Sequence, residues 1–183
     1  MRVIAGEFKS RQLKTVPSSL TRPTTDKNKE NLFNMIGPYF EGGVCLDLFA
    51  GSGGLGIEAL SRGMDTLYSV DKQLKAFLTI KENCRLLKIE DRTHLYKMDA
   101  MKALEKFSQE HISFDLVLLD PPYALKKHEQ ILHYLLSKNM LNNGCIIVIE
   151  DLNEETITVE KPLILKKQHT YGITTLQIIK YEE

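Results

Sequence analysis

Between residues 44 and 149, short apolar runs alternate with segments of helical periodicity, and nothing else in this 183-residue chain constrains its fold as strongly. The runs 44–50, 66–71, 94–98, 114–119 and 145–149 read as strands, and the segments 54–62, 73–88, 100–109 and 127–138 between them as helices. Strands joined through helices pair in parallel and carry helices on both faces, so the expected core is a doubly wound α/β sheet. Ahead of it, Thr24 or Thr25 can cap a helix running to about Phe40, with Leu32, Phe33, Ile36 and Phe40 on one face. Residues 1–16 suggest a small β-hairpin or two short strands, and the stretch 17–25 is a Ser/Thr/Pro loop. After Glu150 the helices stop. The segments 157–159, 163–165 and 174–179 read as strands whose short connections demand antiparallel pairing. The expected organisation is an extension, 1–25, followed by one α/β domain, 26–183.

Composition excludes several classes. No apolar run is long enough to span a bilayer or to form a signal core, and a cytoplasmic location is expected. Cys45, Cys84 and Cys145 are odd in number, widely spaced and set in apolar stretches, which reads as buried thiols rather than disulfides or a zinc site. Net charge is zero but unevenly spread: residues 1–30 hold seven Lys/Arg against three Asp/Glu. A basic segment on a mildly acidic body can contact phosphate, and a solvated surface explains the same charges.

Gly51, Gly53 and Gly56 form G-x-G-x-x-G after a strand and before a helix, and Asp71 ends the next strand twenty residues past Gly51. Glycines let the backbone turn sharply and approach a ligand, and a carboxylate at Asp71 can accept both hydroxyls of a ribose. The pattern also fits a dinucleotide fingerprint. Asp47, four residues before Gly51, favours S-adenosylmethionine instead. A carboxylate there suits an ammonium group and would repel a pyrophosphate. Phe49 joins the expected cofactor-lining set. Asp99 can accept a bond from an adenine amine, and serves equally well as a helix N-cap.

The apolar run 114–119 leads into Asp120, Pro121, Pro122 and Tyr123. An amine on an aromatic ring is a poor nucleophile because its lone pair is delocalised. Two acceptors that hold its two N–H bonds free that lone pair. Asp120 supplies one acceptor through its side chain and Pro121 the other through its carbonyl. Pro122 biases Pro121 toward an extended backbone, and both rings fix φ. Tyr123 can stack on a base. The chemistry is then mostly positioning, with no metal required. The plainer alternative is a Pro-Pro turn after a strand. Lys127 and His128, just after this loop, are within reach of a phosphate but read more readily as solvated surface, and Leu132, Leu135 and Leu136 read as core.

The glycine loop followed by Asp120–Tyr123 resembles the class I methyltransferases that act on amino groups. Residues 2–13, 21–26 and 29–34, with 171–176, are similar to the bacterial 16S ribosomal RNA (guanine(966)-N2)-methyltransferase family over essentially the whole chain. That resemblance implies a Rossmann-like, mostly parallel seven-stranded sheet with an antiparallel C-terminal hairpin. It implies S-adenosylmethionine as donor and a guanine N2 in 16S ribosomal RNA as acceptor, within a partly assembled small subunit. Asp47, Phe49, Gly51, Gly53, Gly56, Asp71 and Asp99 would hold the cofactor, and Asp120 to Tyr123 the flipped guanine. Arg2, Lys9, Arg11 and Arg22 would face the RNA. A monomer is expected. Adenine N6 and a protein glutamine amide are alternative acceptors for the same motif. A nicotinamide-dependent oxidoreductase and a non-catalytic RNA-binding assembly factor are further alternatives. Asn28, where the family has an apolar residue, and Thr170, where a basic one is common, depart from the pattern.

Overall fold

In a computed structural model the described residues are 1–17, 24–122, 127–152 and 156–183. The chain runs α1 (Asp26–Ile36), β1 (Val44–Asp47), α2 (Gly54–Ser61), β2 (Thr66–Asp71), α3 (Leu74–Leu87), a 3₁₀ turn (Glu90–Arg92), β3 (Thr93–Lys97) and α4 (Ala100–Gln109). It continues through β4 (Phe114–Leu119), α5 (His128–Ser137), β5 (Leu141–Leu152), β6 (Leu163–Tyr171) and β7 (Thr174–Tyr181). The seven strands form one sheet in the order β3-β2-β1-β4-β5-β7-β6, with the first five mutually parallel and β7 antiparallel to both its neighbours, β5 and β6. The expected fold class is thus observed. No helix among the described residues is long and apolar enough to cross a membrane.

Alternation along the strands builds two cores. Cys45, Leu67, Leu116, Leu118 and Val148 face one side, where Ile57 and Leu60 of α2, Ile80 and Cys84 of α3, and Leu32 and Phe33 of α1 cover them. Leu46, Val70, Val117, Leu119 and Ile147 face the other, against Leu104 and Phe107 of α4 and Ile131 and Leu135 of α5. Burial on both faces is why the central strands read as continuous apolar runs. All three cysteines are free and buried, as expected.

The structure corrects several boundaries. Helix α1 ends at Ile36, short of Phe40, because Gly37 caps it and Pro38 has no N–H to continue it. Strand β1 stops at Asp47, where the chain turns into the glycine loop. Residues 157–159 are not a strand. The buried Gln177 amide accepts from the Ile157 N–H and donates to the Ile157 carbonyl, so a side chain takes the place of a neighbouring strand. The N-terminal hairpin reduces to a single antiparallel bridge, Arg2 to Gln12.

That N-terminal segment is stitched onto α2 by a buried carboxylate. Glu58 accepts the N–H groups of Ile4 (2.9 Å) and Ala5 (3.1 Å) and the Nε–H of Arg62 (2.8 Å), and Lys29 Nζ lies 3.5 Å from it. Lys29 also donates to the Arg2 carbonyl at 2.6 Å. Burial pulls the Lys29 ammonium below its ordinary range, and Glu58 opposes that shift. Lys29 therefore belongs to the interior rather than to a basic surface, although it stands among the basic residues of the N-terminal stretch. Val3, Phe8 and Leu13 complete the attachment by burying their side chains in the α1–α3 core. Removing one member of a buried charge cluster leaves the others uncompensated. Glu58→Ala is expected to cost about 3–5 kcal/mol in denaturant unfolding; a loss below about 1 kcal/mol, typical of an exposed ion pair, would contradict this reading.

Candidate active site

The chain passes from β1 outward to β3, then returns across the sheet to β4 on the other side of β1. Where the direction of winding reverses, the loops part and leave a crevice at the carboxyl ends of the strands. Asp47 ends β1 and Asp120 follows β4, so they flank that crevice.

The glycine loop lines it. Gly51 has φ +55° and Gly53, the N-cap of α2, has φ +84°, conformations that favour glycine. A Cβ on Gly51 would meet nothing within 4 Å, so its missing side chain leaves open space beside the loop. Gly56 has a packing reason instead: a Cβ there would lie 2.7 Å from Leu67 and 3.1 Å from the Asp47 carboxylate. The Gly56 N–H donates to that carboxylate at 3.2 Å, tying the end of β1 to α2.

Asp71 accepts the Gly51 N–H at 2.9 Å and the Gln73 N–H at 2.8 Å, one on each oxygen. A carboxylate oxygen has two lone-pair sites, so each retains one for a further donor. Asp99 caps α4 by accepting the N–H groups of Met101 (2.9 Å) and Lys102 (3.4 Å) on one oxygen. Its other oxygen lies 4.0 Å from Lys127 Nζ. Phe49 is half-buried against the α4–α5 core.

At the crevice itself the carboxylates crowd together. Burial pushes the Asp47 carboxyl up to about 7, with the Asp71 charge adding to the shift and the Gly56 N–H opposing it. Asp120 is half-buried, and its carboxyl is held well above its ordinary range by burial, then by Glu150, Asp47 and Asp151. Burial raises Glu150 as well. Tyr171 is pushed up to about 12 by burial, with Glu150 and Asp120 adding to it. Among the described residues no lysine or arginine pairs with Asp47, Asp71, Asp120 or Glu150. The site is built to receive cationic or N–H-donating groups.

Pro121 is buried and Pro122 exposed, while Tyr123 lies outside the described residues. His128 is a correction: it is buried at the start of α5, with Nδ1 2.8 Å from Asp151 on β5. It anchors the far end of the Asp120 loop instead of facing solvent. Leu132 and Leu135 are core, as expected. Of the basic candidates, Arg2 is ion-paired with Asp26 at 2.9 Å and Arg11 donates to the Leu86 carbonyl at 3.0 Å. Arg2 and Lys9 line a shallow depression with Lys27, and none of the strand-end carboxylates borders it. Arg22 lies outside the described residues.

Reading the residues one motif at a time misses Glu150, Tyr171 and Asn83. Glu150 carried one signal, an acid closing the apolar run of β5. Asn83 bridges the N-terminal segment to the glycine loop. It accepts the Lys14 N–H at 2.8 Å and donates to the Ser52 carbonyl at 3.0 Å.

A family model described as conserved hypothetical protein 95 matches residues 1–180. The chain belongs to this family. It is 45% identical over 181 residues to YlbH of Bacillus subtilis, covering 98% of each chain. It is 34% identical to ribosomal RNA small subunit methyltransferase D of Escherichia coli K12, over 100% of this chain and 90% of that one. The solved structure of yhhF from Escherichia coli superimposes with a TM-score of 0.86 at 29% identity, over 100% of this chain and 98% of that one. The fold is that of the class I methyltransferases.

The raised Asp47 carboxyl sets a pH dependence. Its neutral form favours the unliganded fold, a contribution present at acid pH and lost as pH rises toward about 7. An ammonium ligand requires the ionised form. Calorimetric affinity for S-adenosylhomocysteine is therefore expected to rise by up to about tenfold per unit from roughly pH 5.5 to neutrality, then level off. Asp47→Asn should weaken binding and flatten that rise. A flat wild-type profile would contradict the role assigned to Asp47.

Proposed function

We propose that this protein transfers a methyl group from S-adenosylmethionine to the exocyclic N2 amine of a guanine in 16S ribosomal RNA of the small subunit. The observation that carries the reading is Asp120. It is a half-buried carboxylate at the switch point, followed by two prolines, with no hydrogen-bonded or ion-paired partner among the described residues. The name of the Escherichia coli relative supports the choice of substrate.

Two observations fit the cofactor: the buried Asp47 carboxyl, which has no cationic partner among the described residues, and the open space beside Gly51. Asp47 would hold the ammonium, Asp71 the ribose and Asp99 the adenine, with Phe49, Gly51, Gly53 and Gly56 shaping the cradle. When bound, S-adenosylmethionine supplies a methyl group on an electron-deficient sulfonium. Asp120 accepts one N–H of the target amine and the Pro121 carbonyl the other, so the nitrogen lone pair is directed rather than delocalised. After transfer the nitrogen bears an extra proton, and Asp120 would take it. Tyr123 would stack on the base, which must leave its helix or loop to enter the crevice. Arg2, Lys9, Arg11 and Arg22 would meet phosphates. The residues act by orientation and electrostatics.

Asp120→Ala is expected to lower kcat by roughly 10³-fold while shifting the dissociation constant of S-adenosylhomocysteine by less than about threefold. Single-turnover transfer of labelled methyl to small-subunit particles measures the first quantity and calorimetry the second. Activity within tenfold of wild type would remove Asp120 from the chemistry.

A further inference from the structure

Strand β5 brings a second carboxylate to the amine-binding position. Leu119 of β4 pairs with Ile149 of β5 in parallel register, so Asp120 and Glu150 stand level on adjacent strands. Leu118 and Val148, two residues earlier, both face the α1–α3 core, so the two acidic residues lie on that same face. Each is half-buried, and neither side-chain carboxyl group has a hydrogen-bond or ion-pair partner among the described residues. Burial raises the Tyr171 hydroxyl on β6, and both carboxyl groups add to that shift.

Resting on the guanine-N2 reading above, we propose that Glu150 accepts the N1–H of the target guanine and so selects guanine over every other amine-bearing base. The argument is one of donors and acceptors. Guanine presents N1–H beside N2–H2, an uninterrupted row of donors. Adenine presents a lone pair at N1 beside its N6 amine, and cytosine a lone pair at N3 beside its N4 amine. A glutamine side chain presents its carbonyl oxygen beside its NH2. Asp120 and the Pro121 carbonyl alone would take any of these. Burial opposes ionisation of Glu150, and an N–H donor beside it favours the ionised form; that form meets a donor only on guanine and meets a lone pair on the others. Sites that hydrogen-bond a substrate N–H reject analogues lacking it far more strongly than apolar pockets reject a missing methylene, because the buried acceptor is left unpaired. Glu150 is therefore a specificity-determining residue of this site, separate from the acceptors that hold the reacting amine.

The test uses 2-aminopurine, which keeps the N2 amine but carries a lone pair at N1. Small-subunit particles are reconstituted with guanine or 2-aminopurine at the acceptor position, and kcat/KM is compared for the intact wild-type enzyme and for Glu150→Gln. The wild type is expected to prefer guanine by at least roughly 100-fold. In Glu150→Gln the amide can rotate to donate to N1, so the preference should shrink by at least about tenfold. Loss of O6 in the analogue affects both enzymes and cancels from that ratio of ratios. Near-equal use of the two bases by the wild type overturns the proposal, and this comparison stands even if the variant does not fold. An unchanged preference in a Glu150→Gln enzyme that still binds S-adenosylhomocysteine overturns it too. Failure of the wild type to methylate guanine N2 at all would instead overturn the reading of function on which the proposal rests.

Discussion

Placing Asp47, Asp120 and Glu150 beside one another at the ends of β1, β4 and β5 costs the folded chain free energy. Buried carboxylates resist ionisation, and each makes ionisation of its neighbours harder. The fold nevertheless holds them there, because their positions follow from strand register and not from any attraction between them. Apolar packing on both faces of the sheet fixes the register, and the register brings the acids level. Nothing in the described chain relieves the crowding with a cation. A ligand with an ammonium group and an N–H-rich edge would do so, which is why the crevice is best understood as half of a complex.

The contrast with Glu58 shows that this chain can neutralise a buried acid where its fold requires it. Glu58 is fully buried, yet Lys29, Arg62 and two backbone N–H groups surround it. That cluster closes the N-terminal segment onto α2, while Lys14, Asn83 and Ser52 lead its continuation past the glycine loop. The segment proposed to meet RNA is thus coupled to the element proposed to hold the cofactor. An acid paired with cations at the structural joint and acids without a cationic partner at the crevice mark the difference between stability and function.

Local pattern carried much of this organisation. The limits of α4 and β4 follow directly from helical periodicity and from an apolar run, because both elements are decided by burial of their own side chains. The glycine loop and Asp71 were legible for a related reason: their partnership rests on one strand–helix–strand unit that is contiguous in sequence. What could not be read depended on distant partners. Residues 157–159 have strand-like composition, but Gln177, twenty residues on, satisfies the Ile157 backbone instead of a strand. Lys29 looks like surface charge until Glu58 is brought beneath it. Glu150 and Tyr171 join the site only because β5 and β6 lie where the sheet order puts them, and no spacing between residues 120, 150 and 171 announces that.

The central claim concerns one nitrogen of one base, so the decisive measurement is the identity of the methylated product. Small-subunit particles lacking the modification are incubated with this protein and isotopically labelled S-adenosylmethionine, and the 16S RNA is digested to nucleosides for mass spectrometry. The account predicts that the label elutes as N2-methylguanosine. Label in N6-methyladenosine, or in ribosomal protein instead of RNA, would contradict it.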